Sequence, residues 1–166
     1  MDGTPLRVRA LEESRLLRLV PASAVAVGST VWVRRAVLAS PELPDLLRHE
    51  AQHVRDWRRF GLLFWLTYLL ALPAGPSLRA LWEWRAYRVS LRATHERHGR
   101  VDEATRAWVV GAFCAAAPYL WMWPFPRQVR RWVDAECDGL ARRTGGPRPP
   151  DGPGGAGGAA SRGPVP

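Results

Sequence analysis

The chain has no lysine. All 24 of its basic residues are arginine, against 15 acidic ones, giving a net charge of +9. With its abundance of alanine, glycine and proline, this composition reads mainly as a GC-rich coding bias, so the charge says little about partners. It would suit acidic substrates, anionic lipid or nucleic acid. No recognised nucleic-acid module accompanies it, however, and the arginines are scattered along helical segments. A solvated basic surface with no specific nucleic-acid partner is the expectation. Cysteine is scarce too: Cys114 and Cys137 lie far apart without metal-ligand spacing, so free buried thiols are expected. Met1 to Ala10 is charged and lacks the apolar region of roughly 7–15 residues that marks a secretory signal. That leads to an expectation of cytoplasmic residence, with membrane association left open.

Long unbroken apolar runs are also missing. Phe60 to Leu78 contains 19 residues without charge, but Pro73, Gly75 and Pro76 cut it. The uninterrupted part, Leu62–Leu72, is 11 residues long, which suits a core helix or an interfacial segment better than a span. Ala107 to Pro126 is likewise uncharged and broken by Pro118, Pro124 and Pro126. Its aromatic cluster, Trp121-Met122-Trp123-Pro124-Phe125, either packs beneath neighbouring helices or dips into a membrane interface. Peripheral membrane contact through 60–78 and 107–126 is therefore open. The stretch from Gly145 to Pro166 holds 8 Gly and 6 Pro with no apolar periodicity. It has too little to bury to offset its ordering entropy, so a disordered tail over 145–166 is expected. Residues 1–144 remain as one domain with one modest core.

What is present is organised around Arg48-His49-Glu50-Ala51-Gln52-His53-Val54. His-Glu-x-x-His on a helix is a zinc-hydrolase signature with a mechanical reason behind it. Positions four apart share a face, so His49 and His53 can reach one ion. Glu50 follows His49 by about 100° of rotation, which places its carboxylate beside the metal instead of on it. Neutral imidazoles hold the ion and the carboxylate takes a proton from metal-bound water. Arg48, Gln52, Arg55 and Arg59 form a polar stripe facing water, while Leu46, Leu47, Ala51 and Val54 pack inward. Ser40-Pro41-Glu42 supplies a helix start, with Ser40 as N-cap, and the helix is expected to stop near Gly61.

A third ligand is needed, and Glu83 is the candidate. It stands between Trp82 and Trp84 on a segment that reads as helix from Ser77 to His98, ending at Gly99. A buried carboxylate there is costly unless it is paired or coordinates metal. The competing reading is an ion pair with Arg79, one turn earlier, or with an arginine of another helix. Ala86, three residues on, would let this helix approach the first closely. Should Glu83 not serve, Glu96 and Asp56 are the alternatives. His95 and His98 do not join the site: His95 lies twelve residues beyond Glu83, about 18 Å along a straight helix. Histidines in a final turn suit the helix dipole instead.

His49-Glu50-Ala51-Gln52-His53 followed by Glu83-Trp84-Arg85-Ala86-Tyr87 resembles the gluzincin branch of the zincin metallopeptidases, and more closely the small bacterial zincin-like domains of unassigned function. The resemblance covers about residues 24 to 92. It implies a strand bordering the cleft before the metal helix, and a ligand glutamate on a second helix. Better-known gluzincins often carry an aspartate after that glutamate to orient a histidine, whereas here Tyr87 stands four residues on. Tyr87 becomes a candidate for supporting a ligand or donating to the oxyanion. Asp56, a turn after His53, is a candidate orienting partner or an ion-pair partner of a nearby arginine.

For the remaining segments, leucines at 16 and 19 with Val20 suggest a short amphipathic helix over 9–20, ended by Pro21. Val25-Ala26-Val27 and Thr30-Val31-Trp32-Val33 around Gly28-Ser29 predict one or two short strands, or a hairpin. Further helices are expected from Asp102-Glu103 and over 127–142. The expected whole is an α+β, mostly α, minimal zincin-like domain with one Zn2+ on His49, His53 and Glu83. Glu50 is its catalytic residue, and it cleaves a peptide or related amide bond in a peptide or protein substrate. Two other classes stay open. One is a non-catalytic metal-stabilised interaction domain, the other an arginine-rich peripheral membrane or nucleic-acid binder.

Overall fold

Short runs rich in β-branched residues form the first layer, and burial alternates along β3 (Thr30–Val33). The computed structural model describes residues 6–69, 78–115 and 122–145. Strands β1 (Arg7–Ala10), β2 (Ala24–Val27) and β3 (Thr30–Val33) make one sheet in the order β1-β3-β2. β2 and β3 are an antiparallel hairpin with Val27 opposite Thr30, turning through Gly28 and Ser29. Gly28 takes φ +60°, a conformation that tight hairpin turns require and that costs glycine little. On β3, Val31 and Val33 are fully buried while Thr30 and Trp32 are half-buried.

The amphipathic helix expected over 9–20 does not form. Residues 7–10 instead pair in parallel with β3, Arg7 against Thr30 through Ala10 against Val33. Two short 3-10 turns follow, Leu11–Glu13 and Leu17–Leu19. The physical reason lies in packing: Leu16 and Leu19 are 80% and 75% exposed, so a helix there would have no apolar partner. Ladder bonds to β3 are available to Arg7–Ala10 instead. The loop is tied down by Arg34, whose guanidinium donates to Val20 O at 2.6 Å and Ala22 O at 2.8 Å.

After a single turn α1 (Arg35–Leu38), the motif helix α2 runs Leu43–Phe60. Its start lies later than Ser40. Glu42 is the N-cap residue and Pro44 falls in the first turn, where its missing N–H is harmless. Ser40 Oγ accepts from Glu42 N–H at 3.2 Å just ahead of the helix. Gly61, at φ +54°, ends it. Helix α3 (Leu62–Leu69) then turns back, and α4 (Leu78–His98) lies against both α2 and α3 before stopping at Gly99, φ +72°. Asp102 caps α5 (Glu103–Cys114) by accepting from Thr105 N–H at 2.8 Å, and α6 (Pro126–Arg143) completes the fold. The architecture is α+β and mostly α.

Two cores result. Ala24, Val31 and Val33 of the sheet pack with Val54 of α2. Leu91 of α4, Phe113 of α5 and Val129 and Val133 of α6 centre the other. Within the second uncharged run, Val109, Phe113 and Met122 are buried, while Trp108 and Phe125 are exposed. Cys114 and Cys137 are free thiols, Cys137 buried and Cys114 half-buried with its thiol donating to Trp123 O. Among the described residues no helix is long and apolar enough to cross a membrane. The expected tail, apart from Gly145, lies outside the described residues, as does the Pro73–Pro76 break.

Candidate metal centre

The inward face of α2 carries the motif, as its spacing predicts: Glu50, His53, Val54 and Asp56 are buried and Arg48, Arg55 and Arg59 exposed. From α4, Glu83 enters the same space, and fully buried Ala86 leaves room for close approach of the two helices. His49 Nε2 and His53 Nε2 stand 3.5 and 3.6 Å from Glu83 Oε2. These separations exceed a firm N–H···O hydrogen bond. They match two ligands of one tetrahedral ion, which at about 2.0–2.1 Å from the metal lie about 3.3 Å from each other. One ligand atom from each of His49, His53 and Glu83 falls within 4.8 Å of the others. Among the described residues this is the sole such cluster of His, Cys, Asp or Glu.

The two readings of Glu83 divide between its two oxygens. Oε2 faces the imidazoles. Oε1 accepts a 2.5 Å hydrogen bond from the Tyr68 hydroxyl and lies 3.9 Å from Arg79 Nε. The Arg79 guanidinium also sits over the Tyr68 ring at 4.8 Å. Tyr68 thus fixes the carboxylate with one oxygen turned to the histidines. Burial alone would raise Glu83, but the two imidazoles outweigh it and hold the carboxyl well below its usual range. Burial, with the charge of Glu83 added, drives the Tyr68 hydroxyl well above the ordinary tyrosine value, so it stays a donor.

His49 is oriented from the far side. Its Nδ1 lies 3.2 Å from Ser90 Oγ, and that hydroxyl in turn points to Ala86 O at 3.4 Å. With the serine proton directed at the carbonyl, Nδ1–H donates to Ser90 and the Nε2 lone pair is left facing Glu83. Tyr87 packs edge-on against the His49 ring, centroids 4.8 Å apart, and is backed by Phe113. His53 sits against Phe64 and Tyr68, and its buried Nδ1 has no hydrogen-bond partner among the described residues. Burial lowers the His53 pKa, but the carboxylate of Glu83 overcomes this and holds it above the ordinary value.

Glu50 lies near both histidines and Glu83 and reaches the backbone of Ala26 in the sheet. It is buried, and burial raises its pKa against the opposing pull of His53 and His49. A backbone hydrogen bond from Ala26, on edge strand β2, is a smaller lowering influence. The arrangement thus sets a buried carboxylate near three groups able to hold a cation.

Asp56 does not bond a histidine. Arg85 grips it at 2.7–3.1 Å and Gln52 donates to it at 2.9 Å, so of its two proposed roles it has the ion pair. Glu96 is also elsewhere, 3.6 Å from Arg48 on the surface. His95 is in the last turn of α4 and contacts Thr144 Oγ1 at 3.2 Å. Tyr68 and Ser90 are the site residues that pattern reading misses. Tyr68 looks like core within an uncharged run, and Ser90 carries only the weak signal of lying seven residues, two turns, after Glu83. No protein-family model, curated protein or solved structure matches this chain.

Proposed function

We propose that the chain is a zinc-dependent peptidase of the gluzincin type, hydrolysing a peptide or related amide bond. The convergence of His49 Nε2, His53 Nε2 and Glu83 Oε2 beside the buried carboxylate of Glu50 carries the reading. Two imidazoles and one carboxylate are a donor set that suits zinc. Three protein ligands, not four, among the described residues suit a catalytic ion better than a structural one. Bound there, zinc would supply a Lewis acid that polarises the scissile carbonyl and acidifies water.

The chain's own residues do the rest. Glu50 accepts the proton of the attacking water and delivers it to the departing amine. Tyr68 and Ser90 keep Glu83 and His49 in their ligating orientations. Edge strand β2 has one side unpaired among the described strands and lies against α2, so it offers backbone groups to an extended substrate. Elemental analysis should find about one zinc per chain. Glu50→Gln should retain that zinc and lower hydrolysis of a peptide library by about 100-fold or more. No transition metal after reconstitution, or full activity in Glu50→Gln, would sink the proposal.

A further inference from the structure

We infer that the outer face of α3, with the arginines that end α2, docks on an anionic lipid surface. Helix α3 reads Leu-Leu-Phe-Trp-Leu-Thr-Tyr-Leu and has no charge. At about 100° per residue, Leu62, Leu63 and Leu66 occupy one arc, and they are 68%, 56% and 44% exposed. Phe64 and Tyr68 fall on the opposite arc, where they pack against His53. The inner face is thus spent on the candidate metal centre and the outer face is left to solvent. Leu78, at the start of α4, is exposed as well. Three large exposed leucines on an eight-residue helix are more than scattered surface apolarity.

Charge selects the occupant. No acidic residue lies between Asp56 and Glu83 in the sequence, and both of those are buried. The charged residues in that interval are Arg58, Arg59 and Arg79. Arg58 and Arg59 are exposed, within five residues of Leu62 and Leu63. An apolar ridge that follows closely in the chain on two exposed cations, with no acidic residue exposed in the interval, complements lipid headgroups of negative charge over acyl chains. Half-buried Trp65, stacked edge-on to Trp57 at 6.1 Å, flanks the ridge as tryptophans at membrane interfaces do. No helix need cross the bilayer for this. α3 lies in the interface.

The test uses the full chain as purified and sedimentation with vesicles, and its readout does not involve the metal. Vesicles containing phosphatidylglycerol should capture the protein, and pure phosphatidylcholine vesicles should capture far less. Binding should fall steeply as sodium chloride rises. Arg58→Gln and Arg59→Gln should each weaken it about fivefold. Leu62→Ser/Leu63→Ser/Leu66→Ser should weaken it by more than about tenfold while circular dichroism stays native, since those side chains leave the core untouched. Absence of binding to anionic vesicles would overturn the inference. So would binding that is indifferent to salt and lipid charge, or unchanged in the triple-leucine variant. A dimer that the triple variant converts to monomer, with vesicles left unbound, would also overturn it and assign the face to a second copy of the chain.

Discussion

Glu83 serves two kinds of partner, and the division makes it testable one atom at a time. Oε2 is turned to the histidines, and Oε1 to Tyr68 and Arg79. If Oε2 is a ligand, Glu83→Ala should weaken zinc affinity most in a competition titration. Tyr68→Phe, which frees the carboxylate to rotate, should weaken it about 10–100-fold. Arg79→Ala should do less than either. The opposite order, with Arg79→Ala abolishing binding and Glu83→Ala leaving it intact, would make the carboxylate a mere ion-pair partner. The meeting of His49 and His53 was legible from spacing alone, because a four-residue interval on a helix puts both on one face. Glu83 needed a chemical argument about a carboxylate between two tryptophans. Tyr68 could not be read at all, because its role arises only when α3 folds back over α2 and turns its hydroxyl onto α4.

At the level of elements, legibility followed the local signals. Gly61 and Gly99 punctuate α2 and α4 where the sequence predicts, both with positive φ, and Asp102 caps α5 as a capping residue should. The N-terminal segment was misread because its leucines look helical, while Arg7-Val8-Arg9-Ala10 alternates weakly and its partner is β3, twenty-odd residues away. Parallel pairing of that kind leaves no local mark. The helical layer behind the site carries its own prediction. Phe113 of α5 is fully buried and lies between Tyr87 and Trp132, at 5.4 and 6.5 Å between centroids. Tyr87 in turn holds the His49 ring. Phe113→Ala should therefore cost about 3–5 kcal/mol in urea unfolding and should also weaken zinc binding, though it lies a layer away from the ligands. Lost stability with unaltered zinc affinity would show that the α5 layer does not support His49.

For the whole molecule, the candidate centre sits at the junction of its two cores. α2 belongs with the sheet through Val54, and α4 belongs with α5 and α6 through Tyr87 and Leu91. Two ligands come from the first and one from the second, so an ion held by all three would join them. Binding to the folded chain alone stabilises it by mass action, about 2.7 kcal/mol when free zinc is a hundred times its dissociation constant. For a domain of this size that is a rise of about 10 °C in Tm. Chelation should reverse it, and magnesium, which prefers oxygen ligands, should not reproduce it. Glu50→Gln should keep the full shift. Its metal-free form should melt no lower than the parent, because the glutamine removes a buried carboxylate whose charged form burial disfavours. Glu83→Ala should lose the shift. Scanning calorimetry of the three chains with zinc and with chelator decides the matter: a parent protein whose Tm ignores both would leave the two cores joined by packing alone and the histidines without an ion to hold.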